Sequence, residues 1–190
     1  MKILISGFEP FGGRDVNNAW EIARQFIGKD NIDVIKIPVS FEYSHKRIID
    51  SLEKKKYDFI LILGETAWTT EYVRLERLAI NYKDSLAPDN YGIIADDEEI
   101  LLNAPKAYFS PVHVKRVTSS LKEKGYKVKV TNSTGTFVCN SVYYNILHYV
   151  SEQKLPVKVL FIHLPASTEI VSLEEMRETI ENVISNIEKI

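Results

Sequence analysis

The sequence predicts an α/β fold: one domain over residues 1–190, with a mostly parallel, twisted central sheet and helices on both faces in three layers. Three observations carry this. Apolar runs of strand length alternate with segments of helical period, which is the pattern of a parallel sheet joined by crossover helices. Two of the runs, YDFILIL at 57–63 and VKVLFIHLP at 157–165, are apolar almost throughout, as strands covered on both faces are. The helical segments carry start and stop signals at the expected places.

In chain order, Lys2–Ser6 reads as the first strand and GFEPFGGRDVN as the loop after it. A helix around Ala19–Ile27 puts Ile22, Ala23 and Phe26 on one face. Asp33–Pro38 is a second strand, and a helix follows with Ile48, Ile49 and Leu52 inward. Tyr57–Leu63 is the third strand. The stretch 66–109 breaks the rhythm and reads as a strand at Tyr72–Ile80, then a polar excursion with hairpins. Ser110-Pro111 reads as the N-cap and first residue of a helix that Gly125 ends, with Val114, Val117 and Leu121 inward. Tyr126–Val130 is a strand. A helix starting near Cys139 turns Val142, Ile146, Leu147 and Val150 to one side, and the strand carrying His163 follows. Ser172-Leu173-Glu174-Glu175 is a capping box opening a last helix with Met176, Ile180, Val183, Ile184 and Ile187 as its apolar face.

Composition excludes several classes. A net charge of −2 leaves no electrostatic footprint for nucleic acid or an anionic membrane. No apolar run approaches the ~20 residues of a membrane span. MKILISG is too short and too lightly flanked for a signal peptide. One cysteine cannot form an internal disulfide, so a cytoplasmic protein is expected. Gly7 and Gly12 have the spacing of G-x-x-x-x-G, but Gly13-Arg14 stands where a phosphate-binding loop needs Lys-Ser/Thr. His45, His113, His148 and His163 show no metal-ligand spacing, and Cys139 has no partner cysteine, so no metal site is expected.

The chemistry-bearing stretch is TNSTGTFVCN at 131–140. Gly135 lets the backbone bend, and the polar residues supply turn chemistry. Cys139 falls where loop becomes helix, and the unpaired N–H groups there favour a thiolate and lower the thiol pKa. A lone cysteine also has a plainer reading as a small buried hydrophobe. His163 interrupts its strand just before Pro165, at the C-terminal edge where α/β sheets gather their chemistry. It reads as the base a thiol needs at neutral pH, or as a ring that merely caps a strand. Phe8 and Phe11 line a small apolar pocket or simply pack in the core.

Four segments together resemble the pyrrolidone-carboxylate peptidases, also called pyroglutamyl peptidase I. TNSTGTFVCN is similar to that family's S-x-S-A-G-x-[YF]-[LV]-C-N. FIHLP resembles F-I-H-[VL]-P, at a suitable interval from Cys139. GFEPFGG at 7–13, with Asn17 after it, resembles G-F-[DE]-P-F-G-G, and LERLAIN at 75–81 is similar to the segment carrying E-R-x-A-x-N. The resemblance implies a cysteine peptidase that removes N-terminal pyroglutamyl residues from peptides. It implies Cys139 as nucleophile, His163 as base and Glu76 as the group orienting the imidazole. Nothing in the spacing alone singles out Glu76; beside Arg77 it reads equally as an exposed pair. The resemblance also places Phe8, Phe11, Phe137 and Val138 at the walls holding a pyroglutamyl ring, with Asn17 ordering the loop near the site. It implies no cofactor, and a homo-oligomer, commonly a tetramer.

This chain departs from the family pattern in three places. GETAWTT at 64–70 lacks an arginine and is one residue longer on the way to Glu76. SLAPDN at 85–90 puts Leu86 where the family carries an arginine. Asn17-Asn18 replaces Asn-Pro. Glu65 and Glu71 add negative charge near a pocket meant for a neutral lactam. Weak turnover is expected, and the competing readings are a binding or assembly subunit that keeps the triad, or an amidase for a related lactam or acyl group.

Overall fold

A computed structural model describes residues 1–66 and 70–188. The first strand, β1 (Ile3–Phe8), is buried along its whole length. It is followed by α1 (Asn18–Ala23), β2 (Ile32–Ile37), α2 (Ser44–Lys54) and β3 (Phe59–Glu65). Then come β4 (Val73–Glu76), β5 (Leu78–Ile80), β6 (Ala107–Phe109), α3 (Val114–Glu123), β7 (Val128–Thr131), α4 (Val138–Glu152), β8 (Lys158–Leu164) and α5 (Leu173–Glu188). Six strands form one sheet in the order β2-β1-β3-β8-β4-β7. The block β2-β1-β3-β8 is parallel throughout, β4 runs antiparallel to β8, and β7 is parallel to β4. The sheet is therefore mostly parallel with a reversed edge pair.

Successive side chains of a strand point to opposite faces, and the two cores divide accordingly. Ile3, Ile5, Leu61, Leu63, Leu160 and Ile162 pack with α1, α3 and α5. Leu4, Ile60, Ile62, Val159 and Phe161 pack with α2 and α4. These are the three layers expected. The inward stripe of α5, from Met176 to Ile187, is buried as its period requires. Its capping box is present: the Ser172 N–H donates to Glu175 Oε2 at 2.9 Å and the Glu175 N–H to Ser172 Oγ at 3.2 Å.

Three expectations are corrected. The helix read over 19–27 is α-helical only to Ala23 and tightens to a 3₁₀ turn over Arg24–Phe26, a common way for a helix to end. Ser110-Pro111 does not cap α3. The Ser110 hydroxyl donates to the Val159 carbonyl at 2.8 Å and accepts from the Val112 N–H at 3.2 Å. It staples the chain to β8, and the helix begins only after His113. The strand read over Tyr72–Ile80 breaks at Arg77. Its N–H donates to Thr131 and its carbonyl accepts from Ser110. β4 thus stays in the main sheet, while β5 pairs antiparallel with β6 in a second, two-stranded sheet. The intervening excursion, 82–106, is closed further by the bridge between Lys83 and Glu98. β5 and β6 cover the outer side of α4, so its residues Asn140–Leu147 are all buried.

Candidate active site

The turn before α4 is built from its own sequence. Gly135 sits at φ +80°, a conformation side chains rarely tolerate, and its N–H donates to Ser133 Oγ at 3.1 Å. Thr136 and Asp84 bond reciprocally, Oγ1 to carbonyl at 2.9 Å and N–H to carbonyl at 3.1 Å. Asn140 satisfies its amide fully: Nδ2 donates to the carbonyls of Ile80 and Tyr82, and Oδ1 accepts from the Ile80 N–H and Thr134 Oγ1. The helix start is thereby fixed to β5. The N–H groups of Asn140 and Ser141 both turn back to the Phe137 carbonyl. That of Val138 has no partner among the described residues, and that of Cys139 meets only its own sulfur. They are two of the orphan donors every helix start leaves.

Cys139 and His163 line one cavity of about 740 Å³. Phe11 and Phe137 form an apolar wall, their rings 5.2 Å apart, and Phe41 meets Phe137 edge-on at 5.3 Å. Leu86 stands fully exposed at the rim. The floor is close-fitting. A Cβ on Gly64 would lie 2.6 Å from the Phe161 ring and 3.3 Å from Cys139 Sγ, so β3 passes beneath the sulfur only because this residue is glycine.

His163, 6% exposed, is oriented from behind. Its Nδ1 lies 2.8 Å from Glu76 Oε1, and its ring rests on Phe161 at 4.8 Å. A carboxylate accepts only, so Nδ1 carries the proton of the neutral ring and Nε2 is left as the basic nitrogen. Glu76 is wholly buried. Its Oε2 accepts from Thr131 Oγ1 at 2.5 Å, and Arg74 Nη2 lies 3.3 Å from its Oε1. The reversal of β4 makes this possible: antiparallel pairing sets Arg74 opposite His163 and Glu76 opposite Phe161. Arg74 and Glu76 then share the face on which α4 lies.

The thiol is not depressed as its position at a helix start leads one to expect. Burial pushes it up, to about 12, and the Glu76 charge adds to this. The backbone N–H of Cys139 and the Arg74 guanidinium pull the other way and are outweighed. One helix turn offers a partial charge; an enclosed site beside a carboxylate resists a second anion more strongly.

Other expectations are also revised. Phe8 does not reach the cavity; it is buried behind it, 6.5 Å from the Phe161 ring. Val138 turns its side chain into the same core and leaves only its backbone toward the helix start. Asn17 caps α1, accepting from the Ala19 N–H at 2.9 Å, and stitches the loop by donating to the Glu9 carbonyl at 2.9 Å. The Glu65 carboxylate lines the cavity but is matched by Arg14 and by the Asn18 N–H at 2.8 Å. Glu71 pairs with Lys127 at 3.5 Å and is not part of the wall. Of the GETAWTT stretch, residues 67–69 lie outside the described residues. Among the described residues, no group of three or more His, Cys, Asp or Glu is arranged to hold a metal ion. Arg74, Thr131 and Asn140 were not legible as site residues. The two-residue spacing of Arg74 and Glu76 on a strand was the available signal.

A cysteine at a helix start, a histidine at a strand end and a buried carboxylate behind the ring define an α/β protein with the parts of a thiol hydrolase. The chain belongs to the pyroglutamyl peptidase family, whose model matches residues 1–185. It is 35% identical to the pyrrolidone-carboxylate peptidase 1 of Caldanaerobacter subterraneus subsp. tengcongensis, over 100% of this chain and 98% of that protein. It is 38% identical to the pyrrolidone-carboxylate peptidase of Brevibacillus brevis, over 86% of this chain and 77% of that one. Among solved structures it resembles the pyrrolidone carboxyl peptidase of Fervidobacterium islandicum AW-1, with a TM-score of 0.91, 31% identity and coverage of 100% and 99%. The pyroglutamyl peptidase I of Bacillus amyloliquefaciens gives 0.90 at 29% identity, over 96% and 94%.

Proposed function

We propose that this chain is a pyroglutamyl peptidase that removes N-terminal pyroglutamyl residues from peptides through a thioacyl intermediate on Cys139. The observation that carries this is the His163–Glu76 couple, buried beneath the cavity onto which Cys139 opens. The sulfur attacks the pyroglutamyl carbonyl while its proton passes to His163 Nε2. Glu76 supports the imidazolium that forms. The N–H groups of Val138 and Cys139, which no backbone carbonyl claims among the described residues, are available to the oxyanion. His163 then protonates the leaving amine, and water, activated by the same nitrogen, releases pyroglutamate. The apolar wall of Phe11 and Phe137 suits a small, flat, uncharged ring.

The remaining features of the reading are a single catalytic domain over 1–190, action in the cytoplasm and assembly as a homo-oligomer, a tetramer by family resemblance. A nucleophilic thiol without a disulfide partner suits a reducing compartment. Among the described residues, no helix is long and apolar enough to cross a membrane. Tyr91, Ile94 and Leu102 of the excursion are exposed apolar groups that a second copy would cover. The test is release of aminocoumarin from its pyroglutamyl conjugate beside proline, alanine and glutamine conjugates. Release from the pyroglutamyl conjugate alone, abolished by Cys139→Ser, is expected. Equal release from all four, or none, would overturn the reading. Light scattering gives the assembly state.

A further inference from the structure

Arg74 is a charged side chain in the cavity to which the reaction above assigns nothing. It lines the cavity with Cys139 and His163, and its side chain is only 14% exposed. Its Nη2 donates to the Ser133 carbonyl at 3.3 Å, on the turn leading to Cys139, and lies 3.3 Å from Glu76 Oε1. That oxygen is also the one His163 Nδ1 faces. Its Nε is buried and has no hydrogen-bond partner among the described residues. An arginine would not be retained in so enclosed a place for solubility, and its fork is only partly spent on backbone.

We propose that Arg74 is a positioning residue of the thiol chemistry: it offsets part of the Glu76 charge, so that the carboxylate can orient His163 while opposing negative charge on Cys139 less. The inference rests on Cys139 being the nucleophile of the proposed reaction. Glu76 has two effects of opposite sign. Facing the imidazole, it favours the proton that His163 accepts. Facing the sulfur, it disfavours the thiolate, and burial makes this worse. A guanidinium beside the carboxylate offsets part of the second effect at the sulfur while leaving the hydrogen bond to Nδ1 intact. The other charged groups around the sulfur do not supply this. Glu65 on β3 is itself negative and is occupied with Arg14, and Asp84 on the excursion adds no cation. Arg74 is the cation whose pull on the Cys139 thiol is felt.

The test reads the thiol directly, so that it does not depend on the peptide substrate. Iodoacetamide alkylation of Cys139 is measured from pH 6 to 10 in the wild type, Arg74→Met, Arg74→Lys, Glu76→Gln and the double variant. Below the thiol pKa the rate follows the thiolate fraction, so a rise of one unit slows alkylation about tenfold at fixed pH. Arg74→Met is expected to slow it by about that factor, and Arg74→Lys to restore most of it. Glu76→Gln, which removes the opposing charge, is expected to speed alkylation, and Arg74→Met in that background to bring it back toward the wild-type rate. A Glu76→Gln protein that alkylates no faster than the wild type would overturn the proposal, as would an unchanged alkylation profile in an Arg74→Met protein whose melting temperature alone has fallen. If Arg74→Met does not fold, failure of the charge-keeping Arg74→Lys to hold the wild-type profile overturns it. Should pyroglutamyl hydrolysis be absent while the alkylation pattern is as expected, the proposed substrate fails and the role of Arg74 stands.

Discussion

Replacing Glu76 by glutamine tests the site at its most buried point. The shapes match, so the effect is electrostatic. The carboxylate receives Thr131 Oγ1 on one oxygen and His163 Nδ1 on the other. A glutamine has one acceptor oxygen for these two donors. If the oxygen stays with Thr131, the amide NH₂ faces Nδ1, which must become an acceptor, and the ring proton moves to Nε2. His163 then presents an N–H to the sulfur and cannot act as base. Loss of the right tautomer in this way costs on the order of 10⁴ in kcat in the serine-protease counterpart, and a similar fall in kcat on pyroglutamyl-aminocoumarin is expected. Stability should also fall, because Arg74 loses its partner. Breaking a buried pair costs about 3–5 kcal/mol. The low end applies, since Arg74 keeps the Ser133 carbonyl and some exposure. A loss of about 3 kcal/mol lowers Tm by roughly 6–12 °C in a domain of this size. A folded Glu76→Gln protein that keeps more than about a tenth of wild-type kcat would refute the reasoning, because the carboxylate would then not be setting the tautomer.

Three further outcomes are expected. Well below the ~8.5 of a free thiol Cys139 is neutral both folded and unfolded, and its contribution to stability is fully present. Above that the unfolded chain ionises while the folded one resists up to about 12, so stability drains away across that window. Urea melts at pH 8, 9 and 10 should show a shallower decline in Cys139→Ala, and parallel declines would contradict a thiol that resists ionisation in the fold. Gly64→Ala drives a methyl group to 2.6 Å from the Phe161 ring. It should cost about 1–3 kcal/mol by overpacking and lower kcat by tilting His163, which rests on that ring; unchanged kcat and Tm would mean the floor has slack. Wild-type kcat/KM is expected below the ~10⁴ M⁻¹s⁻¹ at the bottom of the usual range. Leu86→Arg should raise it by less than about tenfold, because a guanidinium at this exposed rim is screened by solvent and salt, and a wild-type value well inside the range would show the leucine to be harmless.

Sequence by itself determined the layers, because periodicity and apolar runs are local records of which face is buried. Strands 57–63 and 157–165, the stripe of α5 and its capping box needed nothing beyond neighbouring residues. It also placed Cys139 at a helix start and His163 at a strand end, since turn chemistry and the proline limit are local too. Tertiary structure decided what those residues meet. The family resemblance apart, nothing local set Glu76 off from a surface charge; it is β4 running against β8 that carries a carboxylate 87 residues away to the histidine. The same reversal brought Arg74 into the cavity. Phe8 and Phe11 look alike in GFEPFGG, yet one lies behind the wall and the other on it, because the path of a loop is set by what it packs against. The thiol went the same way. Its own helix start favours ionisation, but the net result is a sum over burial and charges from distant strands, and no stretch of sequence contains that sum.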